Sequence, residues 1–128
     1  MSAVLEWVEL ISSAIPEGAK KLFLALILLV CIDYITGLCV AVKEKKLSSK
    51  IGAKGLATKV TVFAMVAIGA IIDHLLIGNG SALCGIIMLF YCTNELLSIC
   101  ENANRMGLPL PEKLVSLLKD FQDRQDQR

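Results

Sequence analysis

Histidine occurs once in this 128-residue chain, at His74. No second histidine or cysteine stands near it at the spacing of a metal site. A phosphate-binding glycine loop, a nucleophile elbow and a catalytic pair of carboxylates are missing as well. The chain is therefore expected to be no enzyme and to need no cofactor and no metal. Net charge is almost absent: 13 Lys and Arg against 12 Asp and Glu leave +1. That balance gives no ground for a nucleic-acid partner. No segment of about ten residues alternates in the manner of a membrane β-barrel. The five cysteines, Cys31, Cys39, Cys84, Cys92 and Cys100, include no CxxC pair and lie in or at the end of apolar runs. There a free cysteine behaves as a small hydrophobe, so packing rather than a disulfide framework is expected.

What the chain does have is apolar length. Hydrophobic residues make up 55% of it, above the roughly 45–50% usual in soluble domains, and the mean hydropathy is +0.67. Its charges cluster and leave three long runs between them. Leu22 to Val42 is 21 residues with one charged group, Asp33. At about 1.5 Å per residue it is about as long as a hydrocarbon core is thick. Val60 to Ile77 is 18 residues, interrupted near its end by Asp73-His74, and Ala82 to Cys100 is 19 residues with Asn94 and Glu95. The expected fold class is an all-α integral membrane protein: three transmembrane helices over 22–42, 60–77 and 82–100 in a single domain spanning 1–128. A soluble bundle would need polar faces that these runs lack. The first run is too long for a signal-peptide core, follows Glu6, Glu9 and Glu17, and has no small-x-small cleavage site after it. It is expected to stay in the protein.

Lysine placement sets the expected orientation. Residues 43–59 read as a lysine-rich loop with Lys43, Lys45, Lys46, Lys50, Lys54 and Lys59 against one acid, Glu44, whereas Gly78-Asn79-Gly80-Ser81 carries no Lys or Arg. The positive-inside rule puts the loop in the cytoplasm. Three spans then place the N-terminus outside and the C-terminus inside, in agreement with Arg105, Lys113, Lys119, Arg124 and Arg128 near the tail. The six lysines serve topology, and attraction to anionic lipid adds about 1 kcal/mol per basic residue near the surface. Residues 1–16 read as an amphipathic segment, with Val4, Val8, Ile11 and Ile15 near one face, Trp7 suited to a membrane interface, and Pro16 at its end. In a second amphipathic segment, 109–128, Leu114, Leu117, Leu118 and Phe121 recur at i, i+3, i+4 and i+7. Pro109 and Pro111 precede that helix, and Glu112 sits in its first turn.

Polar groups inside the spans are the candidate functional residues. Asp33 is the twelfth residue of its run, close to mid-bilayer, where an Asp costs about 2.5–3.5 kcal/mol on an insertion scale. Thr36 and Gly37 lie one turn on. In the second span Gly69 and Ala70 precede Asp73; in the third, Tyr91, Glu95, Ser98 and Asn102 share a face. Each helix thus has a stripe that avoids lipid, either by packing or by lining water. The lysine loop offers partners to acids near the inner face but none to Asp33 at mid-depth. Three helices of one small subunit do not easily hide Asp33, Asp73 and Glu95, which points to homo-oligomers.

The sequence resembles a phage lysis holin of the type also linked to toxin secretion in clostridia and their relatives. The likeness rests on Asp33-Tyr34-Ile35-Thr36-Gly37 and on Lys43-Glu44-Lys45-Lys46-Leu47-Ser48-Ser49-Lys50. Gly52-Ala53-Lys54-Gly55 with Lys59 extends it, and it resumes at Phe90-Tyr91, Asn94-Glu95-Leu96-Leu97-Ser98-Ile99 and Glu101-Asn102-Ala103. Gly107-Leu108-Pro109-Leu110-Pro111-Glu112-Lys113-Leu114 closes it. Together these stretches cover roughly residues 30 to 118. The resemblance implies a non-catalytic protein that oligomerises in the lipid bilayer of the host cytoplasmic membrane. It also implies lesions that let a muralytic enzyme (an endolysin) or a secreted toxin cross, without direct contact with that cargo. A small ion channel or transporter subunit would also use Asp33, Asp73 and Glu95, and a non-conducting scaffold would use the amphipathic ends as docking helices; a transporter of this size would need dimerised repeats, and no internal repeat is present.

Overall fold

A computed structural model describes residues 1–14, 17–78, 80 and 82–126. It contains α1 (Ser2–Ala14), α2 (Glu17–Lys43), α3 (Ser49–Ile72), α4 (Ala82–Arg105) and α5 (Glu112–Asp126). A π-helical turn, Asp73–Ile77, prolongs α3 and closes on Gly78, whose N–H donates to the Asp73 carbonyl at 2.8 Å. The described residues contain no strand. Three helices, Glu17–Lys43, Ser49–Ile77 and Ala82–Arg105, are long and apolar enough to cross a membrane. The all-α class expected from the apolar runs is the class observed. Expectations placed on Ile15, Pro16, Asn79, Ser81 and Arg128 lie outside the described residues, as do those on the side chains of Val8, Ile11, Leu118 and Phe121.

The helix ends follow local chemistry. At the end of α2, Lys46 N–H donates to Ala41 O at 2.8 Å and Lys45 N–H to Val42 O at 3.1 Å, with Lys45 itself at φ 57°. This is a Schellman closure with a lysine in the left-handed position that glycine usually takes. The same closure ends α4, where Leu108 N–H donates to Ala103 O, Gly107 N–H donates to Asn104 O, and Gly107 has φ 88°.

The stretch expected as a loop over 43–59 is mostly helix. Ser48 is extended and its hydroxyl accepts from Ile51 N–H at 3.1 Å, so α3 begins at Ser49 and takes Lys50, Lys54 and Lys59 with it. The physical reason is a good serine cap, with Lys50, Ala53, Lys54, Leu56 and Ala57 as strong helix formers that outweigh Gly52 and Gly55.

Helix α4 is the centre of the bundle. It packs along α2 on one side and against α3 on the other, while α2 and α3 touch little. Leu26, Cys84 and Met88 are fully buried between them, joined by Val30, Val62, Val66 and Cys92. Phe23 and Phe63 meet edge to face, with centroids 6.0 Å apart. Gly69 brings α3 close to α4, since a Cβ there would fall 2.7 Å from Ile87 Cδ1 and 3.2 Å from Cys84 Cα. Helix α1 leaves Val4, Leu5, Trp7 and Leu10 exposed.

Polarity is inverted relative to a water-soluble bundle. Leu24, Leu28, Ile35, Val60, Ile71, Ile86 and Leu89 face outward, whereas Asp33, Asp73 and Glu95 are only 5%, 2% and 5% exposed. The expectation that three helices of one subunit do not easily hide these acids is corrected. All three carboxylates are covered inside a single chain, because the interior itself supplies their hydrogen-bond donors.

Candidate functional site

Three residues, each in phase with the buried stripe of its own helix, meet at the centre. On α2, Asp33 follows buried Leu26 and Val30; on α4, Glu95 follows Cys84, Met88 and Cys92; on α3, Lys59 precedes Val62, Val66 and Gly69. The Lys59 ammonium donates to Asp33 Oδ2 and to both Glu95 oxygens, at 2.9 Å for Oε1 and 2.7 Å for Oε2. Ser98 Oγ donates to Asp33 Oδ1 at 2.6 Å, and Asn102 Nδ2 donates to the same oxygen at 3.0 Å. Asn102 Nδ2 also lies 2.9 Å from Thr36 Oγ1. A Cβ on Gly37 would come 3.7 Å from Asn102 Nδ2, so the glycine leaves α4 room to approach. All four carboxylate oxygens of Asp33 and Glu95 are engaged.

Asp33 therefore has a lysine partner after all, which corrects the expectation that the lysines do not reach it. Lys59 is also not a lipid-facing topology residue, for its side chain is only 17% exposed. Both corrections have one cause: once the loop becomes helix, Lys59 stands on the inner face of α3. The signal was present in the sequence as the spacing Lys59, Val62, Val66, Gly69, Asp73, which keeps one helical face. Removing Lys59 from such a buried group costs about 3–5 kcal/mol, because the two carboxylates stay behind uncompensated.

The other candidates fall elsewhere. Asp73 is apart from the cluster: its carboxylate accepts from Leu83 N–H at 3.1 Å and Cys84 N–H at 2.8 Å, and so caps the start of α4 across the turn. Lys43 donates to the Arg105 carbonyl at 2.7 Å and ties the end of α4 to α2. Lys45, Lys46, Lys50 and Lys54 are exposed. Tyr34, part of the Asp33–Gly37 motif, donates its hydroxyl to Gly52 O at 3.2 Å, and its ring lies over Gly55. Cys84 and Cys92 are buried, whereas Cys31 and Cys39 are exposed. Among the described residues, no group of three or more His, Cys, Asp or Glu is placed to hold a metal ion.

Helices of membrane length, an apolar exterior and a sealed charge cluster define an integral membrane protein whose solvent is lipid. The chain belongs to the bacteriophage holin family, whose model matches residues 11–123. It is 40% identical to an uncharacterized protein of Halalkalibacterium halodurans, over 93% of this chain and 96% of that one. A probable holin of Bacillus phage phi105 is 33% identical, over 87% of this chain and 82% of the phage protein. A 14.9 kDa protein of Clostridium perfringens is 33% identical, over 79% and 76%. No solved structure matches the chain.

Proposed function

We propose that the protein acts as a holin in the cytoplasmic membrane of a bacterial host. It crosses the bilayer three times, with the N-terminus outside and the C-terminus inside. Homo-oligomers then open lesions through which a muralytic enzyme or a large toxin passes. It catalyses nothing and needs no direct contact with its cargo. The carrying observation is the inverted polarity of the bundle: apolar side chains outward, three acids covered within. Such a subunit enters lipid cheaply and still holds enough polar surface to face water when helices part. The orientation rests on Lys45, Lys46, Lys50 and Lys54, exposed at the end of the bundle opposite Gly78 and Gly80. The relative named a probable holin supports a lysis role.

Regulated expression in bacterial cells, with and without a muralytic enzyme, tests the reading. Escape of a folded cytoplasmic muralytic enzyme, followed by lysis, is expected. Passage of ions alone would favour a channel, and passage of nothing a scaffold. Orientation is read by Ser48→Cys and Ser81→Cys in a background without the native cysteines. Labelling of intact cells by an impermeant thiol reagent is expected at 81; labelling at 48 but not at 81 reverses it.

A further inference from the structure

The two ends of α3 are held very differently. At its C-terminal end the fit is close. Gly69 admits the backbone of α4 at Cys84, and the Asp73 carboxylate grips the first amides of α4. Between them and the middle of the helix, Val62 and Val66 are buried in the core. The N-terminal half is another matter. From Ser49 to Thr61 no residue is buried; the first one that is, along α3, is Val62. Two side-chain attachments tie this stretch to the rest of the bundle: Lys59 on Asp33 and Glu95, and the Tyr34 hydroxyl on Gly52 O. The first is a charge cluster, and the second is one hydrogen bond beside the contact of the Tyr34 ring with Gly55.

We propose that residues 49–59 form a hinged arm, latched onto the α2–α4 pair by Lys59 and Tyr34, and that its release is the step that converts the sealed subunit into a lesion-forming one. The inference rests on the holin reading and names the regulation of the same cluster. In the latched state Lys59 seals the carboxylates of Asp33 and Glu95 from lipid. When the arm swings about the stretch just before Val62, where the buried part of α3 begins, those carboxylates, Ser98 and Asn102 form one polar strip along α2 and α4, while Lys59 leaves with the arm. A strip of that kind is tolerable in a bilayer only against water or against the polar groups of another subunit. Release and assembly are thereby coupled: the arm opens at a cost when a subunit is alone, and the cost falls once neighbours or water receive the strip. Packing of α2 on α4 does not depend on the arm, so the pair survives as a unit.

Lys59→Met alone leaves two bare carboxylates, and Asp33→Asn or Glu95→Gln alone leaves Lys59 paired with the other acid, so no single substitution in the cluster removes the latch cleanly. The informative variant is therefore the neutral triple, Asp33→Asn, Lys59→Met and Glu95→Gln, expressed as the full chain. It removes the ionic latch and strands no charge. The expected result is lysis that starts earlier than in the wild type at equal membrane content. Purified in detergent, its amides at 49–59 should exchange about tenfold faster or more, while those at 66–72 keep their rates. Tyr34→Phe removes the hydrogen bond to Gly52 O, keeps the ring against Gly55 and touches no charge, and is expected to shift both readouts in the same direction, by less. If the triple fails to accumulate in the membrane, Tyr34→Phe decides alone. Unchanged or later lysis, or exchange that rises equally at both ends of α3, overturns the arm. Failure of the holin reading looks different: the wild type itself releases no muralytic enzyme.

Discussion

Asn102 and Asp33 are 69 residues apart in the chain, and the Asn102 amide donates to Asp33 Oδ1 at 3.0 Å and to the Asp33 carbonyl at 3.3 Å. One side chain of α4 thus reads both the carboxylate and the backbone of α2. It also reaches Thr36 Oγ1 at 2.9 Å, while that hydroxyl donates back to Ile32 O at 2.8 Å. The α2–α4 contact is consequently fixed in register as well as in distance, because a shift of one turn would break all three contacts of the amide together. Interhelical polar contacts in membranes contribute only about 0.6–2 kcal/mol each. The register depends on their acting as a set.

Asn102→Leu is accordingly expected to destabilise the α2–α4 pair by about 1–3 kcal/mol, since it removes one of the two donors to Asp33 Oδ1 and the contacts to the Asp33 carbonyl and Thr36 Oγ1. Thermal unfolding of the purified protein in detergent measures this. A variant as stable as the wild type would show that Ser98 and Lys59 suffice for Asp33.

Loss of Lys59 should be worse than loss of Asp33 charge. Lys59→Met leaves Asp33 and Glu95 as two carboxylates facing each other, a loss of about 3–5 kcal/mol. Asp33→Asn leaves Lys59 still paired with Glu95 and keeps an oxygen for Ser98 or Asn102. The quantity to compare is membrane content at matched synthesis, with Lys59→Met expected well below Asp33→Asn. The reverse order would mean that Asp33, not Lys59, organises the cluster.

Asp73 acts through α4 rather than through the cluster. Asp73→Ala removes the acceptor for Leu83 and Cys84 N–H and is expected to cost about 0.5–2 kcal/mol, as loss of a helix cap does. Leu83 and Cys84 bond different oxygens of Asp73, so Asp73→Asn retains an acceptor for one of the two amides and should recover only part of it. Hydrogen exchange at Leu83 and Cys84 separates the cases: faster at both in the alanine variant, and near wild type at only one of the two in the asparagine variant.

The close approach at Gly69 gives a steric test. In Gly69→Val the added carbons meet Cys84 backbone, which has no rotamer to yield, although Ile87 Cδ1 can move. Overpacking of this kind costs about 1–3 kcal/mol. A lowered unfolding temperature in detergent is expected, while Gly85→Ala, where an added Cβ meets nothing within 4 Å, should leave it nearly unchanged.

Much of the architecture was legible in the chain. Three apolar runs announce three helices because only a helix satisfies its own backbone in lipid, and length alone marks them. Pro109 and Pro111 announce the break before α5. Less legible was Ser48, whose value as a cap depends on extended backbone at one residue. It moved Lys50, Lys54 and Lys59 from a loop onto a helix. The phase of Lys59 with Val62, Val66 and Gly69 was readable in principle, yet a lysine beside an apolar run is normally a topology signal, and charge bias masks phase.

Composition and spacing by themselves determined that this chain is helical and carries three apolar runs of membrane length, for these follow from local properties summed along the chain. Only the tertiary structure decided which charges meet. Asp33, Lys59 and Glu95 lie on three different helices, and their pairing depends on the rotation and register of each helix about α4, set by Gly37, Gly69 and the Asn102 amide. Periodicity says which face is inward, but it does not say which inward residue of one helix stands opposite which of the next.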